Sequence, residues 1–562
     1  MAVVSTAALP WTTLPRFQLI LGGATLAIVA LVTAAPVLVV VFGAIDGNAW
    51  RETFLDSPTN ISAIGYSFLL ALRAPIAAVT GFLIAWLLIR IRIPGGRLLE
   101  FAMWVTFFIP ILPVTLSWIL LLNPNYGLIN KALMSLPFVH SPPFNIYSVG
   151  GILWVHIVAS SVPVMVVILG PAIRQLDASF EEVGRVCGAS AFTVFRQITL
   201  PILAPAILTG TLAGFIKSLE AFEVEQLLGR PAGIFVYSTR IYDLASWEPP
   251  NFKGAMALST FMLVILLLIA LAYQRLSRSE YATILGRGAS FRQLQIGRAR
   301  WLITAALSLV VAISLFVPLF MLVCGSFMKL FGFFNLPEPY TITHWQDVLG
   351  DPIFLRALWN SLVLSSGAGV GGVLVYAVVA YLIVRSRLPG RAIVDVLAWL
   401  PWSIPGILLG VSMLWLILAS PLLAFLYGSL ASLVLIMVIA QMPIGVHMMK
   451  TSIGQIAVEL EHSSRVCGAG PMRTFISIVL PLVRPMLVSI FVIVFISALR
   501  DISTIIFLAG ASSQTLSLLM MQFAMSSNLE AGAVIGVITT AIVIVVALAA
   551  RRFGLQVTAQ AP

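Results

Sequence analysis

Long apolar runs separated by short polar segments dominate this sequence. A helix needs roughly 20 apolar residues to cross a bilayer core, and twelve runs reach that length, centred near residues 30, 78, 110, 160, 209, 263, 315, 370, 408, 438, 490 and 541. Barrel strands would alternate and cross in about 10 residues. The pattern therefore predicts helices, which satisfy their own backbone polar groups in lipid.

Composition supports a membrane protein. Of the 562 residues, 60% are hydrophobic and 9% are charged, and a soluble globule cannot hide that much apolar surface. The first run, over residues 17–45, is too long for a signal-peptide core of roughly 7–15 residues, so we interpret it as a retained span. The expected fold class is an all-α integral membrane protein with about twelve transmembrane helices.

The net charge of +11 reflects topology rather than a nucleic-acid partner. If the N-terminus lies inside the cell, 22 of the 32 basic residues fall in inner segments. Such a bias is the positive-inside signature. It predicts a multi-pass protein with both termini in the cytoplasm and the lipid bilayer as its surroundings.

Two polar segments, residues 181–201 and 461–481, repeat each other without gaps at an offset of 280 residues. Upstream the offset becomes 295, which relates Arg90 to Arg385 and Pro110 to Pro405. The chain is thus predicted to be a tandem duplication of a six-helix unit: residues 1–285, a basic linker over 286–300, and residues 301–562. Because six is even, both units share one orientation, with a pseudo-twofold axis along the membrane normal.

Each repeated segment predicts a helix–turn–helix elbow on the cytoplasmic side. Ser179 and Glu182 form a capping-box pattern that starts the first helix. Gly188 should end it, because glycine tolerates the left-handed conformation. A second short helix should begin near Ser190, and Pro201 should mark the entry into the next span. The simpler alternative is a plain connector between spans.

The spacing Glu-x5-Gly-x9-Ile-x-Leu-Pro resembles the EAA loop of permease subunits of type I ATP-binding-cassette importers. It matches at Glu182, Gly188, Ile198, Leu200 and Pro201, and the second copy matches from Gly468 onward. There are departures: Val183 and Gly184 replace two alanines of the family, and His462 replaces the glutamate. Over residues 179–201 and 459–481, the resemblance implies coupling helices, whose expected ATPase-contacting residues are Glu181, Glu182, Arg185, Gly188, Ala189, Glu461, His462, Arg465, Gly468 and Ala469.

The resemblance also implies partners and a location. These are two copies of a cytoplasmic ATPase, a periplasmic or lipid-anchored substrate-binding protein, and the bacterial inner membrane. The chain has no G-x4-G-K-[ST] phosphate loop, so ATP would be used by the partner, and we expect no enzyme activity and no bound cofactor. The three cysteines, Cys187, Cys324 and Cys467, are expected to be small packing residues, and the scattered histidines fix no metal site.

The cargo is indicated by residues 216–244, which look similar to the same stretch of ferric-iron import permeases. Other small solutes stay open as alternatives: thiamine, phosphonates, sugar phosphates or polyamines. A duplicated secondary transporter or channel is an alternative of another class. It would not need two cytoplasmic elbows.

A charged cluster is predicted at the outer ends of the fifth and eleventh spans. The 280-residue offset aligns Glu220 with Arg500, and Asp501 follows directly. Glu220 and Glu223 would share a helix face, with Glu225 just beyond. Ionisable residues at membrane depth are functional candidates, and carboxylates suit a hard cation. The alternative is a structural ion pair between Glu220 and Arg500.

Overall fold

The computed structural model describes residues 16–45, 47–277, 293–386 and 390–552. Within these ranges the chain is helical, apart from loops and two isolated bridges, Ile91 with Leu294 and Met328 with Tyr340. The all-α fold class is confirmed. Of the predicted linker over residues 286–300, the part before residue 293 lies outside the described residues, and so does the boundary at residue 285.

In the described part of the chain, twelve apolar spans are present if each bent helix pair is counted as one, and each predicted run falls on one of them. Spans 1 to 6 are Gly22–Gly43, Pro58–Arg90, Gly96–Phe108 with Ile111–Leu122, Val149–Gln175, Ala191–Leu219 and Phe252–Ile269. Spans 7 to 12 are Ala299–Ser326, Pro352–Arg385, Arg391–Trp402 with Gly406–Ala419, Leu430–Gly454, Pro471–Leu482 with Arg484–Arg500, and Leu529–Arg552.

Two of the three bends occupy equivalent places in the repeat. Span 3 bends by 102° and span 9 by 113°, at Pro110 and Pro405 respectively. Proline cannot donate a backbone hydrogen bond and clashes with the preceding turn. The two units therefore break the third span of each by the same physical means.

The two units exchange their first spans. Span 1 packs against span 9 of the second unit, and span 7 packs against span 3 of the first unit. Within each unit the tightest pair is the second span with the fourth, that is, span 2 with span 4 and span 8 with span 10. This exchange joins the two halves into one helical bundle.

Short helices lie between the spans. Two elbow helices, Ala178–Val186 and Val458–Val466, precede spans 5 and 11. The ends of the spans at these elbows are called the elbow ends below, and the other ends the far ends. The remaining short helices include Gly47–Phe54, Leu128–Met134, Tyr237–Ser246, Thr343–Gly350 and Leu516–Met525.

Candidate functional site

The two elbows share one backbone turn. The first elbow helix ends before Gly188 and the second before Gly468, and both glycines have φ of +84°. Any residue with a Cβ would have a strained backbone there, since L residues rarely adopt left-handed φ values. A Cβ added at either glycine would meet nothing within 4 Å. The backbone conformation alone therefore requires glycine at both turns, as predicted.

The hydrogen bonds of the turn also repeat. The Gly188 N–H donates to the carbonyl three residues back at 2.9 Å, and the Ala189 N–H donates to the carbonyl five residues back at 3.0 Å. Gly468 and Ala469 make the same two bonds at 2.9 and 3.1 Å. This is the Schellman arrangement, which satisfies the last carbonyls of a helix.

The first elbow helix starts with a different cap from the one predicted. Asp177 precedes the helix, and its carboxylate accepts from the Ser179 N–H at 2.9 Å. Ser179 therefore lies inside the helix, and the predicted capping box with Glu182 is wrong. At the second elbow the equivalent position is Ala457, which has no side chain that can cap. The two elbows are unequal at this point.

The buried glutamate of each elbow anchors it to the preceding spans. Glu181 is ion-paired with Arg90 and accepts from the Thr199 hydroxyl at 2.8 Å. Glu461 is paired with Arg385 at 2.7 Å. Both glutamates are nearly inaccessible to solvent. They therefore hold the elbows in place and are not surface contacts for a partner, which corrects the prediction for these two residues.

Each arginine of these pairs also binds the chain just before its elbow. Arg90 donates to the Leu176 carbonyl at 3.4 Å, and Arg385 donates to the Ile456 carbonyl at 2.7 Å. Each arginine lies at the elbow end of its unit's second span. It thus connects that span both to the elbow and to the chain that follows the fourth span. Sequence reasoning missed these pairs, although the arginines recur at the offset of 295 and the glutamates at 280.

The opposite face of each elbow is exposed. Val186 and Val466 are both 88% exposed, an unusual position for valine. Cys187 and Cys467 are also exposed, so the expectation that they are packing residues is wrong. The predicted contact residues that face solvent are Glu182, Arg185, Gly188, His462, Arg465 and Gly468. Ala189 and Ala469 are half-buried.

The second arm of the first elbow is the beginning of span 5 itself. Ser190 caps a helix that continues from Ala191 to Leu219. A wide turn at Phe195–Thr199 directly precedes Pro201, and the same turn at Phe475–Val479 precedes Pro481. Such turns accommodate the missing proline N–H. The second arm of the first elbow and the first unit's fifth span are therefore one continuous helix.

A charged cavity of about 320 Å³ lies between the two units. Spans 2, 3, 4 and 5 supply the first unit's side, and spans 10 and 11 supply the other. Its ionisable and amide lining residues are Arg73, His156, Lys217, Glu220, Glu223, Gln441, Arg500 and Asp501. The cavity thus brings together four of the five residues predicted as a charged cluster.

Glu220 and Arg500 are not partners. The Glu220 carboxylate lies 2.7 Å from Lys217 Nζ, one turn back along the same helix. Arg500 donates to the Phe107 carbonyl at 3.1 Å, where the broken span 3 leaves that group without a helical partner. The ion pair between the units, considered above as an alternative, is therefore not formed.

Two carboxylates of the cavity form no ion pair in the part of the chain that the structure describes, although Arg500 is near enough to attract both of them. Within the described residues, neither Glu223 nor Asp501 forms an ion pair within 4 Å; Asp501 accepts from the Thr504 N–H and hydroxyl, both at 2.9 Å. Span 5 ends at Leu219, so Glu220 and Glu223 do not share a helix face as predicted. In the described part of the chain, no group of three or more His, Cys, Asp or Glu residues could hold a metal ion.

Glu225 lies behind the cavity wall and is fully buried. It accepts from His156 Nε2 at 2.8 Å and is 3.7 Å from the Arg73 guanidinium. Sequence reasoning placed Glu225 at the edge of the cluster but did not find its partners. Those partners come from spans 2 and 4, and no local spacing indicates them.

Comparison with known proteins agrees with the duplicated architecture. The profile of the family described as "Binding-protein-dependent transport system inner membrane component" matches the chain twice, over residues 77–280 and 369–557. Each match lies within one unit and runs from inside its second span through its sixth.

Individual relatives are named for different cargoes, or for none. The "Ferric transport system permease protein FbpB" of Actinobacillus pleuropneumoniae is 26% identical over 66% of this chain and 53% of its own length. The "Probable ABC transporter permease protein y4fN" of Sinorhizobium fredii is 30% identical, with 69% of each chain covered. The "Sulfate transport system permease protein CysT" of Salmonella typhimurium is 28% identical over 46% of this chain and 90% of its own.

The chain spans about half the length of the FbpB relative that it matches. Its membership of the family rests instead on the double profile match, which covers both units and most of their spans. The chain belongs to the binding-protein-dependent transport system inner membrane component family, as a fused pair of permease units.

Proposed function

We propose that this chain is the membrane-spanning permease of an ATP-driven importer of the bacterial inner membrane. Both termini would lie in the cytoplasm, and the two elbows would each bind one copy of a separate ATPase. The observation that carries this proposal is the duplicated elbow, with its identical glycine turn, its buried glutamate–arginine anchor and its exposed tip. A plain connector does not need these three features twice.

The anchors and the continuous helix give the elbows a mechanical connection to the cavity. Arg90 and Glu181 fasten the first elbow to the ends of two spans, so the elbow cannot move alone. Span 5 runs 29 residues from the elbow to Leu219, about 44 Å at 1.5 Å per residue. Glu220 follows at its far end and lines the cavity. A displacement of the elbow by the ATPase would therefore reach the cavity wall along span 5.

Ferric iron, delivered by a periplasmic binding protein, is the proposed cargo. Hard cations prefer oxygen ligands, and Glu223 and Asp501 line the cavity without an ion pair within 4 Å among the described residues. The similarity to a relative named as a ferric transport permease supports the same cargo. In this proposal the carboxylates contact the cation in transit and do not form a fixed metal site.

A small oxyanion is the second candidate cargo. Arg73, Lys217 and Arg500 also line the cavity, and guanidinium groups recognise oxyanions well. A relative named as a sulfate permease matches nearly half of this chain. The cavity contains both signs of charge, so the two candidates predict different effects of removing its acids or its bases.

Reconstitution tests the proposal. The full chain would be placed in vesicles with its partner ATPase and substrate-binding protein, and uptake of radiolabelled ferric iron and of radiolabelled sulfate would be measured with and without ATP. We expect iron uptake that needs both ATP and the ATPase. Sulfate uptake instead would select the second candidate. Uptake that needs an ion gradient and no ATPase would contradict the importer and indicate a secondary transporter.

A further inference from the structure

Three buried ionisable residues, Arg73, His156 and Glu225, form a cluster that we name the first-unit triad. His156 Nε2 and the Arg73 guanidinium approach the same oxygen of Glu225, at 2.8 and 3.7 Å. The side chains are 2%, 6% and 1% exposed for Arg73, His156 and Glu225. The triad joins span 2, span 4 and the segment that follows span 5.

The second unit has apolar residues at the same places. The offsets that relate the two units identify the counterparts. For His156 they give two neighbouring residues, because a wide turn at Ile157–Ser161 shifts the register in span 4 by one residue. The counterparts are Ala368 for Arg73, Ile436 or Met437 for His156, and Ile505 for Glu225. Each of these residues is 0% exposed, so they occupy equally buried positions.

This internal comparison indicates that the fold does not need the triad. Burying charged groups carries a desolvation penalty that their mutual attraction offsets only partly, and apolar replacements of a whole buried ionic cluster are often neutral or stabilising. The second unit builds the same helix packing with apolar side chains. The charges of the first unit therefore serve a purpose other than packing.

The triad holds the segment that carries the cavity carboxylates. Arg73 donates to the Ser218 carbonyl at 3.0 Å, two residues before Glu220, and it also pairs with Glu225. Residues 218–225 are thus held at both ends, with Glu220 and Glu223 between the two attachment points. Both of these carboxylates line the cavity.

The second unit holds the corresponding segment by hydrogen bonds. There Asp501 caps its own turn through Thr504, and the Ser517 hydroxyl donates to the Asp501 carbonyl at 2.6 Å. The first unit has the same serine bond, from the Ser238 hydroxyl to the Ala221 carbonyl at 2.5 Å. No charged residue from its second or fourth span takes part at the positions of the triad. The two sides of the cavity therefore share the serine bond, and the first is held in addition by a buried ionic cluster.

We infer that the first-unit triad is a positioning element for cargo, which fixes the segment of Glu220 and Glu223 so that the Glu223 carboxylate contacts a small cation in the cavity, while Glu220 stays paired with Lys217. The first unit is then the cargo-selective half of the permease. This inference rests on the proposed function, and it names the residues that set the selectivity of the path.

The test replaces the triad by the residues of the second unit, as Arg73→Ala, His156→Met and Glu225→Ile together. Vesicles with the full importer would report uptake of radiolabelled ferric iron per ATP hydrolysed, and thermal unfolding in detergent would report folding. We expect the triple variant to fold and to retain ATP hydrolysis stimulated by the loaded binding protein. Uptake per ATP should fall about tenfold, since small misplacements of contacting groups lower rates by one to two orders of magnitude.

Two control variants separate positioning from folding. Glu225→Ile alone leaves Arg73 buried without its carboxylate, so it should unfold at a lower temperature than the triple variant. Ile505→Val in the second unit should leave uptake per ATP unchanged. If adding Arg73→Ala and His156→Met restores the unfolding temperature lost in Glu225→Ile, the three charges stabilise one another and the fold does not require them.

Two results would overturn the inference. One is a triple variant with the uptake per ATP of the unchanged protein, which would mean that the triad does not position the carboxylates. The other is a triple variant that does not fold, which would make the triad structural. If the unchanged protein shows no ATP-dependent uptake, the proposed function fails first and this inference fails with it.

Discussion

The glycine turn of the first elbow provides the sharpest test of how the elbows work. Gly188 has φ of +84°, and a Cβ at this residue would meet open space. Gly188→Val therefore introduces backbone strain without any clash with neighbouring side chains. We expect the variant to insert normally, because the turn lies outside the spans, and to lose ATPase binding or stimulated hydrolysis.

The size of the effect follows from the backbone conformation. A β-branched residue held in the left-handed region costs about 1–3 kcal/mol. That range corresponds to a change of roughly 5–150-fold in an equilibrium, so the ratio of the native turn to other conformations should fall by this factor. Gly188→Asn should be milder, since asparagine enters this region more readily than other side chains.

Gly470 supplies a matched control in the second elbow. It also has nothing within 4 Å of an added Cβ, but its φ is −69°, so Gly470→Ala should behave like the unchanged protein. The assay would be co-purification with the ATPase, followed by ATP hydrolysis and uptake in vesicles. Unchanged assembly and transport in Gly188→Val would refute the role of the turn, and an equal loss in Gly470→Ala would show that the effect is not conformational.

Three further predictions follow from the caps and the cavity. Asp177→Ala should weaken the first elbow helix by about 1 kcal/mol and lower stimulated ATP hydrolysis, whereas Ala457→Asp should add the missing cap to the second elbow. Hydrogen exchange of the elbow amides measures both effects, and equal protection in all variants would contradict the difference in capping between the elbows. Glu220→Gln with Glu223→Gln should reduce ferric uptake while ATPase binding stays normal, and undiminished uptake would favour a non-cationic cargo. The double change Glu220→Arg with Arg500→Glu should not restore transport lost in the single variants, because these side chains are not partners; restored uptake would argue for a direct pair.

The spans and the elbow turns could be predicted from the sequence because their causes are local. An apolar run of sufficient length has one stable solution in lipid, and every predicted run corresponds to a span. Gly188 was predictable for the same reason, since a glycine between a polar helix and a second cap indicates a left-handed turn. The repeat then extended both conclusions to the second unit.

The details of the elbows were less predictable because competing residues lie one or two positions apart. Asp177 and Ser179 are both good capping residues, and only the observed start of the helix selects Asp177. Glu181 and Glu182 are neighbours on a helix and point about 100° apart. Which of them is buried depends on Arg90, which lies 91 residues earlier in the chain.

The partners of the cavity charges depend on tertiary contacts. Lys217 could have been found from its spacing, since it lies three residues before Glu220. The bond from Arg500 to the Phe107 carbonyl joins residues 393 apart and depends on how span 3 breaks. Equal offset from a duplication indicates that two residues occupy similar places, but it does not indicate that they contact each other.

The central claim is that both elbows are the binding sites of the ATPase, and the native cysteines allow a direct measurement. Cys187 and Cys467 are exposed beside the two glycine turns, and the third cysteine, Cys324, lies in span 7 and is only partly accessible. The rate of maleimide labelling at each cysteine would be measured on the full chain in vesicles, with and without the bound ATPase. We predict that Cys187 and Cys467 are both protected when the ATPase binds, while labelling of Cys324 does not change. Undiminished labelling of both elbow cysteines in the assembled complex would contradict the account.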